Sequence, residues 1–298
     1  MIINGVTIDN AFAEAFGMKA TRILITAHNL EWAYHAANAA TGFATSVIAC
    51  GCEAGIEREL GRAETPDGRP GVSVLLFATS GKELTKQLER RVGQCVLTSP
   101  TSAVFAGGGP GEPLPLGKFL RHFGDGFQTS KLIGGHRYWR IPVMDGDFLI
   151  QDTAEMVSGV GGGNFLVLAE SQEQALTACE AAVGAMRQVR NVIMPFPGGV
   201  VRSGSKVGSK YPALRASTND AFCPTIRGIT ASQLTPEIRA VLEIVIDGLA
   251  PADITAAMRV GMEAVVALGA ARGIRRISAG DYGGKLGKYH FRLHEIMG

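Results

Sequence analysis

Residues 164–194 read NFLVLAESQEQALTACEAAVGAMRQVRNVIM, a sequence that predicts a strand, a helix and a second strand in succession. The opening apolar run is typical of a buried strand. Ser171 then predicts the N-cap of a helix over residues 172–188, in which small and apolar side chains recur on one stripe. A second strand begins at Asn191. The stretch therefore predicts one βαβ unit.

The same order of elements runs through both halves of the chain. Each half predicts strand, helix, strand, a long loop, and again strand, helix, strand, which is the split βαβ order of ferredoxin-like folds. A polar, glycine-rich stretch up to about residue 71 supplies the long loop of the first half. The other predicted elements are strands at residues 22–26, 45–50, 72–78, 103–106, 241–246, 274–278 and 289–293, and helices at residues 29–40, 82–95 and 251–271.

We therefore expect an α+β fold of two ferredoxin-like lobes that arose by internal duplication. The first lobe covers residues 1–150 and the second covers residues 151–298. The pattern breaks near residues 107–145, which we interpret as a segment inserted between the repeats. GVGGG at residues 159–163 precedes a strand instead of opening a helix, so it does not fit a dinucleotide-binding fingerprint. We interpret it as a tight connection between the lobes.

Composition and charge exclude several classes of protein. The chain has 298 residues, 46% of them apolar, which is enough for a large core. Its net charge of +2 is too small to indicate binding to the negatively charged backbone of a nucleic acid. We see no signal peptide and no uncharged apolar run of about 18 residues that would span a membrane. Five cysteines without a C-x-x-C pair argue against a zinc ribbon. We expect a cytoplasmic protein without a bound metal.

A long loop over residues 195–225 is the most informative segment for binding. It contains four basic side chains and one acidic side chain, a net charge of +3, among many Gly and Ser residues. Such a loop can converge backbone N–H groups on an anion, while its lysines add point charges. The glycine spacing does not continue as a P-loop. A solvated loop without a ligand remains the alternative.

Glu243 stands in the middle of the apolar strand sequence VLEIVI, residues 241–246. A carboxyl among aliphatic side chains is costly to ionise, so its pKa should rise toward neutrality. A carboxyl of that kind can shuttle protons. The alternative is a glutamate on a solvent-facing side of the sheet.

Several motifs follow one another along nearly the whole chain. They are INGV at residues 3–6, FAEAF at 12–16, ATGF at 40–43, SVI at 46–48, TPDGRPGV at 65–72, GQCV at 93–96, FGDG at 123–126, the loop at 195–210, ASTNDAFCP at 216–224, LEIVIDGL at 242–249 and ISAGDYGGKLG at 277–287. Together they resemble one family, the formylmethanofuran–tetrahydromethanopterin formyltransferases.

The resemblance implies two ferredoxin-like lobes, a homo-oligomer that is usually a tetramer, and transfer of a formyl group between the methanofuran amine and N5 of tetrahydromethanopterin. Both coenzymes act as co-substrates, and neither a metal nor a prosthetic group takes part. Glu243 matches the family's active-site glutamate. The candidates for coenzyme binding are Ser205, Lys206, Ser209, Lys210, Thr218, Asn219, Asp220 and Lys285.

The charge balance distinguishes this chain from the strongly acidic family members of thermophilic methanogens. It is similar instead to the version in methylotrophic bacteria, which works with hydrolase subunits in a formyltransferase/hydrolase complex. Two rival functions stay open. One is a non-catalytic scaffold subunit of such a complex, and the other is a ferredoxin-like RNA-binding module, which the few aromatic residues of the predicted strands disfavour.

Overall fold

The computed structural model describes residues 1–285 and 287–298. The strands are β1 (Ile2–Ile3), β2 (Val6–Ile8), β3 (Phe12–Thr26), β4 (Glu53–Leu60), β5 (Gly71–Ala78), β6 (Ala103–Ala106), β7 (Glu112–Pro115), β8 (Thr129–Ile133), β9 (His136–Val143), β10 (Gly146–Gln151), β11 (Thr153–Ala169), β12 (Val192–Ile193), β13 (Ser205–Val207), β14 (Ala216–Thr218), β15 (Ala240–Gly248), β16 (Ile274–Ser278) and β17 (Tyr289–Arg292). The α-helices are α1 (Leu30–Thr41), α2 (Val47–Cys50), α3 (Gly81–Arg91), α4 (Gly117–Leu120), α5 (Gln172–Met186), α6 (Pro251–Leu268) and α7 (Leu293–Met297).

Most strands pair antiparallel, whereas β6 with β10 and β2 with β16 pair in parallel, so the chain forms a large mixed sheet covered by helices. The predicted α+β class is confirmed at this level. None of the helices within the described residues is long and apolar enough to cross a membrane.

One compact unit comprises Met18–Gly159. In it β5 lies between β4 and β3, and the other edge of β3 pairs with β6. The sheet continues through β10 and β9 to β8. Helices α1 and α3 contact β5, and Leu84 and Leu88 of α3 are fully buried in a core with Val74. Asn29 and Ser80 begin these helices, because each side chain accepts a backbone N–H of the first turn.

The second compact unit comprises Met1–Gly17 and Val160–Gly298. Here β11 pairs with β15 on one edge and with β16 on the other, and β16 pairs in parallel with β2. Helices α5 and α6 pack against each other and against β15. The chain passes from one unit to the other within β3 and within β11, so the units divide the chain at different residues from the lobes expected at 1–150 and 151–298.

The two faces of the sheet in this second unit have different neighbours. Phe165 and Ile244 are fully buried in the core that α5 and α6 form with the sheet. Side chains alternate along a strand, so the next residue of each strand faces the other way. On that opposite face, Leu166 and Leu168 pack with Leu234 from the segment that leads into β15. Glu243 belongs to this second face, away from the helices.

The structure corrects two element predictions in the N-terminal half. Residues 47–50 form helix α2 and not a strand, because Ser46 caps the helix and Gly51 ends it in a left-handed conformation with φ +77. The polar stretch expected as a loop contains β4, which pairs along β5. The buried Glu57 of β4 has partners on β3 and β5, since Arg22 and Ser73 both donate to its carboxylate at 2.7–2.8 Å.

GVGGG, expected as a tight connection, is part of the long strand β11. The strand continues through residues 159–163 with a shift in register against β15 between Val160 and Gly163. Gly162 adopts φ +94 there. These glycines therefore let a strand bend and approach its neighbours closely, and they do not form a turn.

Gly163 and Gly184 provide a paired test of the packing in this unit. A Cβ added at Gly163 would lie 2.5 Å from Cγ2 of the buried Ile254, whereas a Cβ at Gly184 in α5 meets nothing within 4 Å. We expect Gly163→Ala to lower the free energy of unfolding by about 1–3 kcal/mol because the core must shift. Gly184→Ala should raise it by up to about 1 kcal/mol because alanine favours helix. Unfolding followed by circular dichroism measures both, and a Gly163→Ala protein as stable as the wild type would contradict the packing.

Candidate active site

Glu243 is held by backbone pairing on both sides of its strand. Leu166 of β11 is its register partner on one edge. On the other edge Val201 N–H donates to the Glu243 carbonyl at 2.7 Å, and Glu243 N–H donates to the Val201 carbonyl at 2.9 Å. The backbone at Glu243 is therefore held on both edges of its strand.

The Glu243 side chain lines a small cavity of about 40 Å³. Leu166, Val241 and Phe222 supply apolar walls, and residues 201–204 line another side. Burial in these surroundings raises the pKa of the half-buried Glu243 carboxyl to about 7. The predicted environment of this residue is thus present, and a carboxyl with such a pKa can both accept and release a proton near neutral pH.

The long loop places a small hairpin beside this cavity. Strands β13 and β14 pair so that Ser205 lies opposite Thr218 and Lys206 lies opposite Ser217. At the base of the hairpin Asn219 N–H donates to the Gly204 carbonyl at 3.2 Å. This closure brings Asn219 into the lining of the cavity that holds Glu243.

Two other candidates in the loop form an ion pair with each other. The Lys206 ammonium donates to the Asp220 carboxylate, and this hydrogen bond is the main cause that lowers the pKa of Asp220. Both side chains remain partly accessible. The pair ties the hairpin to the turn that follows it, and it leaves Lys210 and Arg215 as exposed cations of the same segment.

Ser209 and Lys285 lie apart from the cavity lining. The Ser209 hydroxyl accepts the Tyr211 N–H at 3.0 Å, so it stabilises the turn between β13 and β14. Lys285 is exposed on the loop that follows β16. Of the eight binding candidates, the structure places Asn219 in one cavity with Glu243, and it gathers Ser205, Lys206, Thr218 and Asp220 around the adjacent hairpin.

Cys223 is a cavity-lining residue that the sequence did not single out. Its thiol donates to the Asn219 carbonyl at 3.2 Å and lies 3.3 Å from the Thr218 hydroxyl. It also lines the cavity of Glu243, together with Val201 and Ser203. Its place in ASTNDAFCP, close to the chosen Asn219, is the signal that could have indicated it.

The described acidic, histidine and thiol side chains do not form a cluster suited to a metal ion. Among residues 1–285 and 287–298, no group of three or more His, Cys, Asp or Glu is placed to hold a metal ion.

The raised pKa of Glu243 predicts a pH-dependent stability. Between pH 4.5, its ordinary pKa, and about 7, the folded state holds a proton that the unfolded state releases. Folding stability should therefore fall as pH rises through this range. Glu243→Gln removes the ionisation, so we expect this variant to exceed the wild type in free energy of unfolding by up to roughly 3 kcal/mol at pH 8 and by much less at pH 5. Denaturant titrations at the two pH values measure this.

Glu237→Gln is the matched control for that experiment. Glu237 is exposed, and its own backbone N–H and then the Thr235 hydroxyl lower the pKa of its carboxyl. The ionised Glu237 carboxylate stabilises the folded state above pH 4.5 and loses this effect below it. Glu237→Gln should therefore change the free energy of unfolding by the same amount at pH 5 and at pH 8. A Glu243→Gln protein with the same flat response would show that Glu243 is solvated in the folded state.

Known proteins match this chain over its full length. The family model for formylmethanofuran–tetrahydromethanopterin formyltransferase matches residues 1–143, and the model for the proximal lobe of that family matches residues 146–296. A formylmethanofuran–tetrahydromethanopterin formyltransferase of Methylococcus capsulatus is 74% identical, with 100% of both chains covered. A formyltransferase/hydrolase complex component of Methylorubrum extorquens is 48% identical over 99% of this chain and 97% of the relative.

Solved structures also match the fold. The formylmethanofuran–tetrahydromethanopterin formyltransferase of Methanosarcina barkeri superimposes with a TM-score of 0.94 at 48% identity, covering 99% of this chain and all of the other. The formyltransferase/hydrolase complex of Methylorubrum extorquens, solved with methylofuran, contains a chain with a TM-score of 0.98 at 47% identity, covering 100% of this chain and 99% of that one. The chain belongs to the formylmethanofuran–tetrahydromethanopterin formyltransferase family.

Proposed function

We propose that this chain moves a formyl group between N5 of tetrahydromethanopterin and the amine of methanofuran or a methanofuran analogue, with Glu243 as the acid/base. Family membership makes the chain a formyltransferase, and the proposal concerns how it performs the transfer. The observation that carries it is the half-buried Glu243 carboxyl, with a pKa near 7, in the wall of a cavity.

The reaction needs one group that can take and return a proton. The attacking amine nitrogen bonds to the formyl carbon, and a tetrahedral oxyanion forms. A proton then leaves the attacking nitrogen, and a proton must reach the leaving nitrogen before the C–N bond breaks. Glu243 performs both steps in turn, because its two protonation states are similarly populated near pH 7. Orientation of the two nitrogens supplies the rest of the rate enhancement.

The coenzyme-binding roles follow from position. Asn219 shares the cavity with Glu243, so it contacts the reacting end of a coenzyme. The family resemblance implies carboxylates on both coenzymes and a phosphate on the pterin, which exposed cations attract. Lys206, Lys210 and Lys285 serve these anions, and Asp220 orients Lys206. Ser205, Ser209 and Thr218 complete the proposed binding set. Both coenzymes act as co-substrates, without a resident metal or prosthetic group.

We propose that the sheet and helices form two ferredoxin-like lobes over residues 1–150 and 151–298, with an insertion near residues 107–145. The separate family model for a proximal lobe, which begins at residue 146, supports the division. Cytoplasmic location stays a prediction from the sequence.

Kinetics of formyl transfer test the role of Glu243. With formyl-tetrahydromethanopterin and methanofuran, turnover that depends on both coenzymes is expected for the wild type. Glu243→Gln should fold and lose about 10²–10⁴-fold in kcat. The wild-type rate should titrate near pH 7, and the residual rate of the variant should not.

Glu263→Gln is the control, because this glutamate is exposed on α6 and belongs to no part of the proposed site. Full activity of Glu243→Gln would remove Glu243 from the mechanism. Coenzyme binding without turnover by the wild type would favour the scaffold alternative.

We also propose that the chain forms a homotetramer and binds hydrolase subunits. The likeness to a component of the Methylorubrum extorquens formyltransferase/hydrolase complex supports this partnership. Native mass spectrometry of protein isolated from its host should show a core of about 126 kDa, four copies of the 31.4 kDa chain, together with hydrolase chains. A lone oligomer without hydrolase chains would contradict the partnership.

A further inference from the structure

Glu14 is a fully buried carboxylate that binds backbone N–H groups far along the chain. It lies on β3, where its register partner is His290 of β17. Tyr282 N–H and Gly284 N–H each donate to one carboxylate oxygen at 2.8 Å, and Gly287 N–H donates to the other. A buried charge needs such compensation, and these donors supply it. The carboxylate thus fixes three points of the loop that follows β16.

Asn164 fixes the beginning of the same loop. Gly280 N–H donates to its side-chain oxygen at 2.6 Å, and its side-chain amide donates to the Gly280 carbonyl at 3.1 Å. The same amide also donates to the Gly162 carbonyl at 3.1 Å. Together with Glu14, this side chain holds the loop at residues 280, 282, 284 and 287. We call residues 279–285 and 287 the anchored loop.

The anchored loop turns its amides inward. Gly287 passes so close to β3 that a Cβ there would lie 2.6 Å from the Ala15 carbonyl oxygen. Three inward N–H groups are already used by the protein's own carboxylate, so they cannot serve an anionic ligand. Lys285, in contrast, is exposed on the same loop. These hydrogen bonds hold the backbone of the loop, while Lys285 stays accessible to a ligand.

Strand register places this loop at the border of the Glu243 face. Leu166 has Glu243 as its partner on β15 and Ser278 as its partner on β16. Register partners share a face, and neighbouring strands lie about 4.8 Å apart, so Glu243 and Ser278 are about 10 Å apart on one face. The anchored loop begins immediately after Ser278. A coenzyme bound at Glu243 therefore needs to extend only about 10 Å to reach the start of the anchored loop.

We propose that Glu14 and Asn164 are positioning residues for coenzyme binding: they hold the anchored loop so that Lys285 meets a carboxylate or phosphate of a coenzyme bound at Glu243. This inference rests on the proposed function. Neither residue contacts the reacting atoms, and both act through Lys285. Their loss should weaken binding of the anionic coenzyme and leave the chemical step intact.

Glu14→Gln tests the inference through KM and kcat. The glutamine amide keeps the shape but replaces a hydrogen-bond acceptor with a donor that faces backbone N–H groups. We expect KM for one coenzyme to rise about tenfold, and kcat to stay within about threefold. Lys285→Ala should give a similar rise in KM. The double variant should be no worse than Lys285→Ala alone, because Glu14 acts through that lysine.

Glu57→Gln is the matched control, because Glu57 is also a buried carboxylate and accepts from Arg22 and Ser73 in the other unit. It should lower the midpoint of thermal unfolding without changing KM. An unchanged KM in Glu14→Gln, or a fully additive double variant, would overturn the inference. A lowered kcat with unchanged KM would overturn it as well.

Gly287→Ala displaces the anchored loop without altering a charge, and it carries the test if Glu14→Gln does not fold. It should show the same rise in KM.

Hydrogen exchange, measured without coenzyme, tests the anchoring independently of catalysis. In the wild type the amides of Tyr282 and Gly284 should be protected from exchange, and Glu14→Gln and Gly287→Ala should lose this protection. A wild type with protected amides and no formyl transfer would refute the proposed function alone. Rapid exchange of these amides in the wild type would refute the anchoring.

Discussion

The structure depends on the hydrogen bonding of β15 along both of its edges at Glu243. One edge pairs with β11 and the other with Val201, so the strand cannot move away from either neighbour. A carboxylate on a mobile loop would reach water and keep its ordinary pKa. Here the backbone holds it against apolar walls, and desolvation raises the pKa to about 7. The sheet therefore produces the raised pKa on which the proposed acid/base role rests.

The alternation of side chains along one sheet separates stability from chemistry. Phe165 and Ile244 face the helices and form the core, whereas Leu166 and Glu243 face the long polar segment. Substitutions on the second face can change binding without opening the helix-packed core. The hairpin of β13 and β14 adjoins this face through Gly204 and Asn219, and its Lys206 pairs with Asp220. The proposed binding groups thus lie on loops, while the proposed proton-transfer group lies on a strand that is paired on both edges.

Local sequence patterns predicted the features that depend on residues close together in the chain. Periodicity and capping predicted α5, composition predicted α1, and the apolar neighbours of Glu243 predicted its raised pKa. Strand β4 was missed because the partners that compensate Glu57 lie on other strands. Glu14 was missed for the same reason, since its donors lie about 270 residues further along the chain. Hydrogen bonds from distant backbone groups to a buried carboxylate produce no periodic pattern in the sequence.

The pairing of β2 with β16 and of β3 with β17 constrains the order in which the protein can form during synthesis. Residues 18–159 contain the strands of their own unit and can pack as soon as they leave the ribosome. The first 17 residues must wait for partners that lie about 270 residues further along the chain. They remain exposed, with apolar strand sequence, until those partners are made. The unit that carries Glu243 is therefore completed only when β16 and β17 have been made.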